Sequence, residues 1–528
     1  LAQHVLIYFE ESLHLQAFSL LTSLISSGAS SFDPHAPATA PSPPYLALAA
    51  TLSVHPRMTT KTLSREHHEQ VNAAWRLLRL TLKVLGPVNA DFASAFEFKR
   101  YDHNTRQLQA QPESSQPETQ PEPPIDSIYA GAKSLFSLAE DFWHVVGWAF
   151  NCSCLDSMYT ARWSQWNLWL DFMIEALEAD WDIRFHNNTA EESLILQFIE
   201  SGTSGYGRDR RIMRAIFADG GAKSLNEFKE VFRHELRPPK TDSDKPKKRE
   251  VDKLDIEAEI YGDYMVGEEE SDTEEEANYA PGNLRSSAQK TRTRTPSTRR
   301  ITPRTSNQSL QSTSDLATTP TPSTLGPPKS ITLRHRLLHL LSHVSGCPAT
   351  IPSFIEIPEL YTLFVEFIRP LPLPIFSQFI TSLPRTFSTD AHCTLCEVLL
   401  QRMLENVVDD ECYLTRSKLL SCYLPFAAAK ADVASNAKVS ILLESLVRSM
   451  RRSGLLDDGV DVQGAVRKGV ERRVEVLGRG RRGRAAAVEE EELAGKMLRE
   501  SGWALLRAVG AKEVDEEWEG EDASSRAG

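Results

Sequence analysis

Cysteine is scarce in this chain: seven in 528 residues, an odd number, so no disulfide framework is implied and a reducing compartment is expected. Long apolar runs are missing too. The best stretch, Leu337 to Val344, is broken by His339, Ser342 and His343, short of the roughly 18–20 residues that cross a bilayer, so no membrane partner is expected. No signal-peptide pattern stands at the start, which opens on Leu1 and not on Met, leaving an earlier targeting segment an open question. Alternating strand patterns and hairpin turns are absent. So are the HExxH, GxSxG, GxGxxG and EF-hand patterns, and with them the usual sequence grounds for an enzyme or a cofactor. Acid outweighs base, giving a net charge of −13, which argues against wholesale wrapping by nucleic acid but not against local contact through a basic segment.

What remains is helical periodicity. Residues 1–27 read as one or two apolar helices, followed by a Pro/Ala/Ser stretch at Pro34–Pro44. Trp75, Leu78, Leu82 and Leu85 recur at three- and four-residue spacing in a helix from Ser64, stopped by Gly86-Pro87. The expected fold class is therefore all-α, two helical blocks of bundle or irregular repeat-like character separated by a long disordered linker. The first block joins residues 1–104 to a Trp-rich region at 125–236, across a Gln/Pro/Glu-rich insertion at 105–124 that reads as disordered. Residues 237–329 are too polar and too charged to offset the entropy of ordering and read as the linker. The second block spans 330–510, and 511–528 form an acidic tail.

Six of nine tryptophans lie between Trp143 and Trp181. Trp163, Trp166, Leu170, Met173, Ile174, Leu177 and Trp181 share one arc of a helix, with Trp169 and Phe172 outside it, so this helix is apolar on most of its circumference and belongs between other helices. A partner-binding aromatic groove is the competing reading.

Four constellations invite a chemical reading, and each has a plainer one. His335, His339 and His343 recur every four residues, a metal-binding spacing, but lie opposite Leu333, Leu337, Leu340, Leu341 and Val344 and read as a solvated polar face flanked by Arg334 and Arg336. Cys393 and Cys396 follow His392, with Cys412 and Cys422 downstream; one helical turn places such a pair together in a core, and no metal is assigned. Gly220-Gly221-Ala222-Lys223-Ser224 departs from a phosphate loop, since Ala222 and Phe217 stand where glycines are needed. It reads as a turn into a helix capped by Ser224, with Glu227 closing a capping box, that ends before Pro238-Pro239. The fourth is a basic cluster of Arg467, Lys468, Arg472, Arg473, Arg479, Arg481, Arg482 and Arg484, read as an exposed loop neutralised by Glu489–Glu492. Its Gly/Arg end carries the candidates for weak nucleic-acid contact.

The linker holds the signals. Lys245, Lys247, Lys248 and Arg249 form a compact basic cluster of the kind an import receptor reads. Ser271 and Thr273 have Glu three residues on, and Thr295 and Thr302 precede Pro among arginines, so phosphate there would cancel the positive field of 285–304. The expectation is a non-catalytic scaffold that binds protein partners in the nucleus, the cytoplasm being the alternative location. The second reading is a chromatin- or nucleic-acid-associated factor using 285–304 and 467–484. The third is an enzyme whose site is assembled from distant residues.

Overall fold

The computed structural model describes residues 2–29, 39–99, 125–201, 207–237, 325–351, 353–404, 414–457, 459–478 and 485–511. The insertion at 105–124, nearly all of the linker and the tail beyond 511 lie outside these residues. Among the described residues there is no strand, only an isolated bridge between Leu404 and Ala428. No helix is long and apolar enough to cross a membrane.

The first block opens with α1 (Ala2–Glu10), α2 (His14–Ala29), α3 (Pro43–Val54) and α4 (Arg65–Val84). After short helical turns come α5 (Phe142–Cys154), α6 (Met158–His186), α7 (Leu194–Glu200), α8 (Arg208–Ile216) and α9 (Ala222–Glu227). Two of these are interior helices by composition. PPYLALAATLSV in α3 and FWHVVGWAFNCSC in α5 carry no Asp, Glu, Lys or Arg, and nearly every residue of each is buried. The tryptophan helix α6 runs beside them. Trp163, Trp166, Trp169 and Trp181 are all buried, Phe172 meets Trp75 of α4 edge-on at 5.9 Å, and Leu168 is left outside. Gly147 of α5 is required by close approach: a Cβ there would stand 2.3 Å from the ring of Phe228.

Inside this block sits a charged node. Arg162 and Glu235 are both fully buried and paired at 2.6 Å. The guanidinium also donates to Thr59 Oγ1 at 3.1 Å and to the Val54 carbonyl at 2.7 Å, while Glu235 accepts from Trp166 Nε1 at 2.7 Å and from Phe232 N at 3.2 Å. A buried pair with this many partners pins the C-terminal turn of the block, α3 and α6 to one another.

The second block contains α10 (Pro328–Ser345), α11 (Ile357–Ile368), α12 (Leu373–Ser382), α13 (Thr389–Gln401), α14 (Val433–Arg452), α15 (Val460–Val474) and α16 (Ala485–Ala508). α14 is its axis, buried along Val439, Leu442, Leu443 and Leu446 against α12, α13 and α16. A π-helical turn at Leu419–Tyr423 crosses α15 so closely that a Cβ on Gly469 would lie 1.8 Å from the Leu424 carbonyl oxygen.

The two sequence blocks are not separate bodies. Leu1–Pro239 and Thr319–Gly528 gather into one compact unit. The weld is α10. Arg334 is fully buried, its guanidinium lying 4.1 Å over the Phe150 ring and donating to the carbonyls of Ile216 and, at 2.8 Å, Ala218. Arg336 holds Glu178 through both carboxylate oxygens, at 3.0 and 2.5 Å, and Asp171 at 2.7 Å, all on α6. Phe217 stacks on Phe367 and meets Phe379. Removing one member of a buried, multiply bonded pair strands the other, so Glu235→Ala is expected to lose about 3–5 kcal/mol of stability in equilibrium urea unfolding. Arg162→Met combined with Glu235→Leu is expected to recover part of that loss, because it leaves no charge buried alone.

Candidate functional site

Most of the signals expected from the sequence fall outside the described residues: Lys245, Lys247, Lys248 and Arg249, Ser271, Thr273, Thr295 and Thr302, and Arg479, Arg481, Arg482 and Arg484. The linker leaves and rejoins the described chain at two points of one body. Arg237 ends a turn in which Lys61 Nζ donates to the His234 carbonyl, and Leu325 is buried where the chain returns. Gly326 follows at φ +84°, so tight against α5 that a Cβ would sit 2.8 Å from the Ser153 carbonyl oxygen.

The histidine row departs from the expected solvated face. His335 is fully buried, edge-on to Phe379 at 4.3 Å, with no partner for either ring nitrogen. His339 is half-buried against Phe387, and only His343 is exposed. Arg334 and Arg336 are not flanking surface groups but the weld itself. The reason is that α10 is covered on both sides, by α5 and α6 of the first block and by α11 of its own, so a two-sided wheel has no solvent face over most of its length. Burial pulls His335 down to about 3 and His339 to about 4, holding both rings neutral.

The cysteines are equally internal. Cys396 is buried on α13 with its Sγ 3.4 Å from His392 Nε2, which also meets Ser445 Oγ at 3.1 Å. Burial pushes both thiols up, Cys393 to about 11. Cys422 lies half-exposed on the π turn, and Cys412 is outside the described residues. Among the described residues no three His, Cys, Asp or Glu side chains converge to hold a metal ion.

Two further readings are corrected. Ser224 does not cap its helix: Gly221 occupies the cap, α9 stops at Glu227, and the hydroxyl of Ser224 donates to Asn151 Oδ1 at 2.6 Å. Glu227 is drawn to Arg214 at 2.7 Å instead of closing a box. Arg473 is not part of an exposed cluster. It is fully buried and donates to the carbonyls of Leu424 and Phe426 at 3.2 and 2.9 Å, meeting groups that the end of the π turn leaves without a helical partner.

A concave site among the described residues was not legible beforehand. A cleft of about 470 Å³ opens between Phe98 and the start of α7, with Glu97, Glu191, Glu192 and Glu200 around it. Phe98 and Phe198 meet edge-on at 5.6 Å, and Phe198 is fixed by stacking on Phe142 at 4.5 Å. Glu97 pairs with Lys99 at 2.6 Å and Glu192 with Arg184 at 2.8 Å, whereas Glu191 and Glu200 make no ion pair among the described residues. Ser193 stands at the cap of α7, but Asp180 takes the Leu194 N–H at 2.6 Å, and the buried Ser193 hydroxyl has no partner. Glu97 and Glu191 are far apart in sequence, and only the Glu191-Glu192 doublet before a serine hinted at a shared acidic edge.

Comparison with known proteins finds no match among family models, curated proteins or solved structures.

A histidine held below its unfolded value of 6.5 takes its proton first in the unfolded chain, so its burial leaves stability full above pH 6.5 and lowers it as pH falls toward the folded value. His335→Leu is expected to shrink the stability loss between pH 6.5 and 4.5 by about 2–3 kcal/mol, read from urea midpoints at each pH.

Proposed function

We propose that the protein is a non-catalytic interaction scaffold that works in the nucleus, its helical body binding protein partners and residues 238–324 carrying import and phosphorylation signals. One observation supports this most. Leu325 is buried in the same compact unit to which the turn ending at Arg237 belongs, so both ends of residues 238–324 sit on one helical body. Phosphate at Ser271, Thr273, Thr295 or Thr302 would change the charge of that segment.

The buried ionisable groups support the same reading. Arg162, Arg334 and Glu235 spend their hydrogen bonds on joining helices, which is work of architecture.

A full-length fluorescent fusion is expected in the nucleus, and Lys247→Ala, Lys248→Ala and Arg249→Ala together are expected to move it to the cytoplasm. Cytoplasmic fluorescence for both proteins would remove the nuclear part of the proposal.

A further inference from the structure

We propose that His339 and His343 of α10 form an open two-imidazole site for a divalent metal ion of the nickel, copper and zinc class. Neither residue enters the scaffold reading. Spacing alone offers three histidines, and the structure reduces them to two. His335 is fully buried against Phe379, where no ion from solvent can meet it. One turn on, His339 is half-buried, its ring backed by Phe387 at 5.4 Å, and a further turn on His343 is exposed. Four-residue spacing on a regular helix puts these two rings on one face.

Their separation is what chelation needs. The ring centroids are 4.4 Å apart, and the planes are tilted at 56° instead of lying parallel. With metal–nitrogen bonds of about 2.1 Å, two imidazoles on neighbouring corners of a square or octahedral ion have centroids roughly 4.5 Å apart. The pair is thus already spaced to chelate, and turning the exposed His343 ring is the adjustment left. On His339 the nitrogen on offer is Nδ1, since Nε2 is shut in without a hydrogen-bond partner.

The donor set selects the ion. α10 contains no Asp or Glu, so the helix brings two nitrogens and no carboxylate, and water completes the shell. Calcium and magnesium, which take oxygen ligands, are poorly served, whereas imidazole suits nickel, copper and zinc. Arg336, three residues before His339, is held by Asp171 and Glu178 and so leaves no bare charge to repel the ion. A bound ion would staple one turn of the helix that joins the two halves of the chain.

The test is isothermal titration of the untagged full chain with nickel chloride, after chelator treatment and gel filtration. Nickel is chosen over copper because it does not oxidise the free cysteines. One saturable site in the micromolar range is expected. His343→Ala, at an exposed position, is expected to weaken it at least about tenfold by removing one of two ligands, and His339→Gln to do the same. His186→Ala, an exposed histidine on α6 with no histidine one turn away, is expected to leave it unchanged. Saturating nickel is expected to raise the melting temperature of the wild type and not that of His343→Ala. Wild-type protein without a saturable site would overturn the proposal. So would equal affinity in wild type and His343→Ala, or equal losses for His343→Ala and His186→Ala.

Discussion

The guanidinium of Arg334 is the point on which the two halves of the chain turn. It enters the first block without a carboxylate to meet it. Its donors go to the carbonyls of Ile216 and Ala218, at and just beyond the C-terminal end of α8, where backbone oxygens lack helical partners and the helix dipole favours a cation. The Phe150 face covers its other side. Burial lowers it to about 10, still protonated at neutral pH, so the charge is kept and shared among oxygens and a ring. Two residues on, Arg336 grips Asp171 and Glu178 of the tryptophan helix. A hydrophobic seam alone could slide; planar donors with fixed acceptors set the register between α10, α6 and α8.

That weld changes what the long charged segment can do. Were the halves independent, residues 238–324 would set the distance between them. Joined as they are, the halves hold the segment's two ends on one body. The acidic cleft belongs to it as well, built from Phe98, α7 and the glutamates beside them.

Much of the helical architecture could be read in advance because it follows from side-chain spacing. The α4 period through Trp75, Leu78 and Leu82 and the nearly all-round apolarity of α6 are local facts about the chain, and both are buried as the spacing implies. The errors came where tertiary covering overrides a helical wheel. A wheel assigns one face to water, yet α10 is packed on two sides, so His335 and Arg334 are interior despite their polarity. Arg473 misled for the same reason, since a cationic side chain in a basic run reads as solvated until a carbonyl terminus is found beside it. Ser224 had a capping pattern in sequence, but Asn151 of α5 competes for its hydroxyl. The cleft was invisible because its acids come from segments that only the fold unites, and Ser193 looks like an ordinary cap until Asp180 is seen to take that role.

The claim that the halves form one body is tested most directly by cutting the segment that connects them. A specific protease site placed within residues 238–324 of the full chain would be cleaved and the product run on size exclusion at low micromolar concentration. The account predicts that both fragments elute together, and that Arg334→Ala with Arg336→Ala releases them. Fragments of the wild-type sequence that separate on cleavage would contradict it.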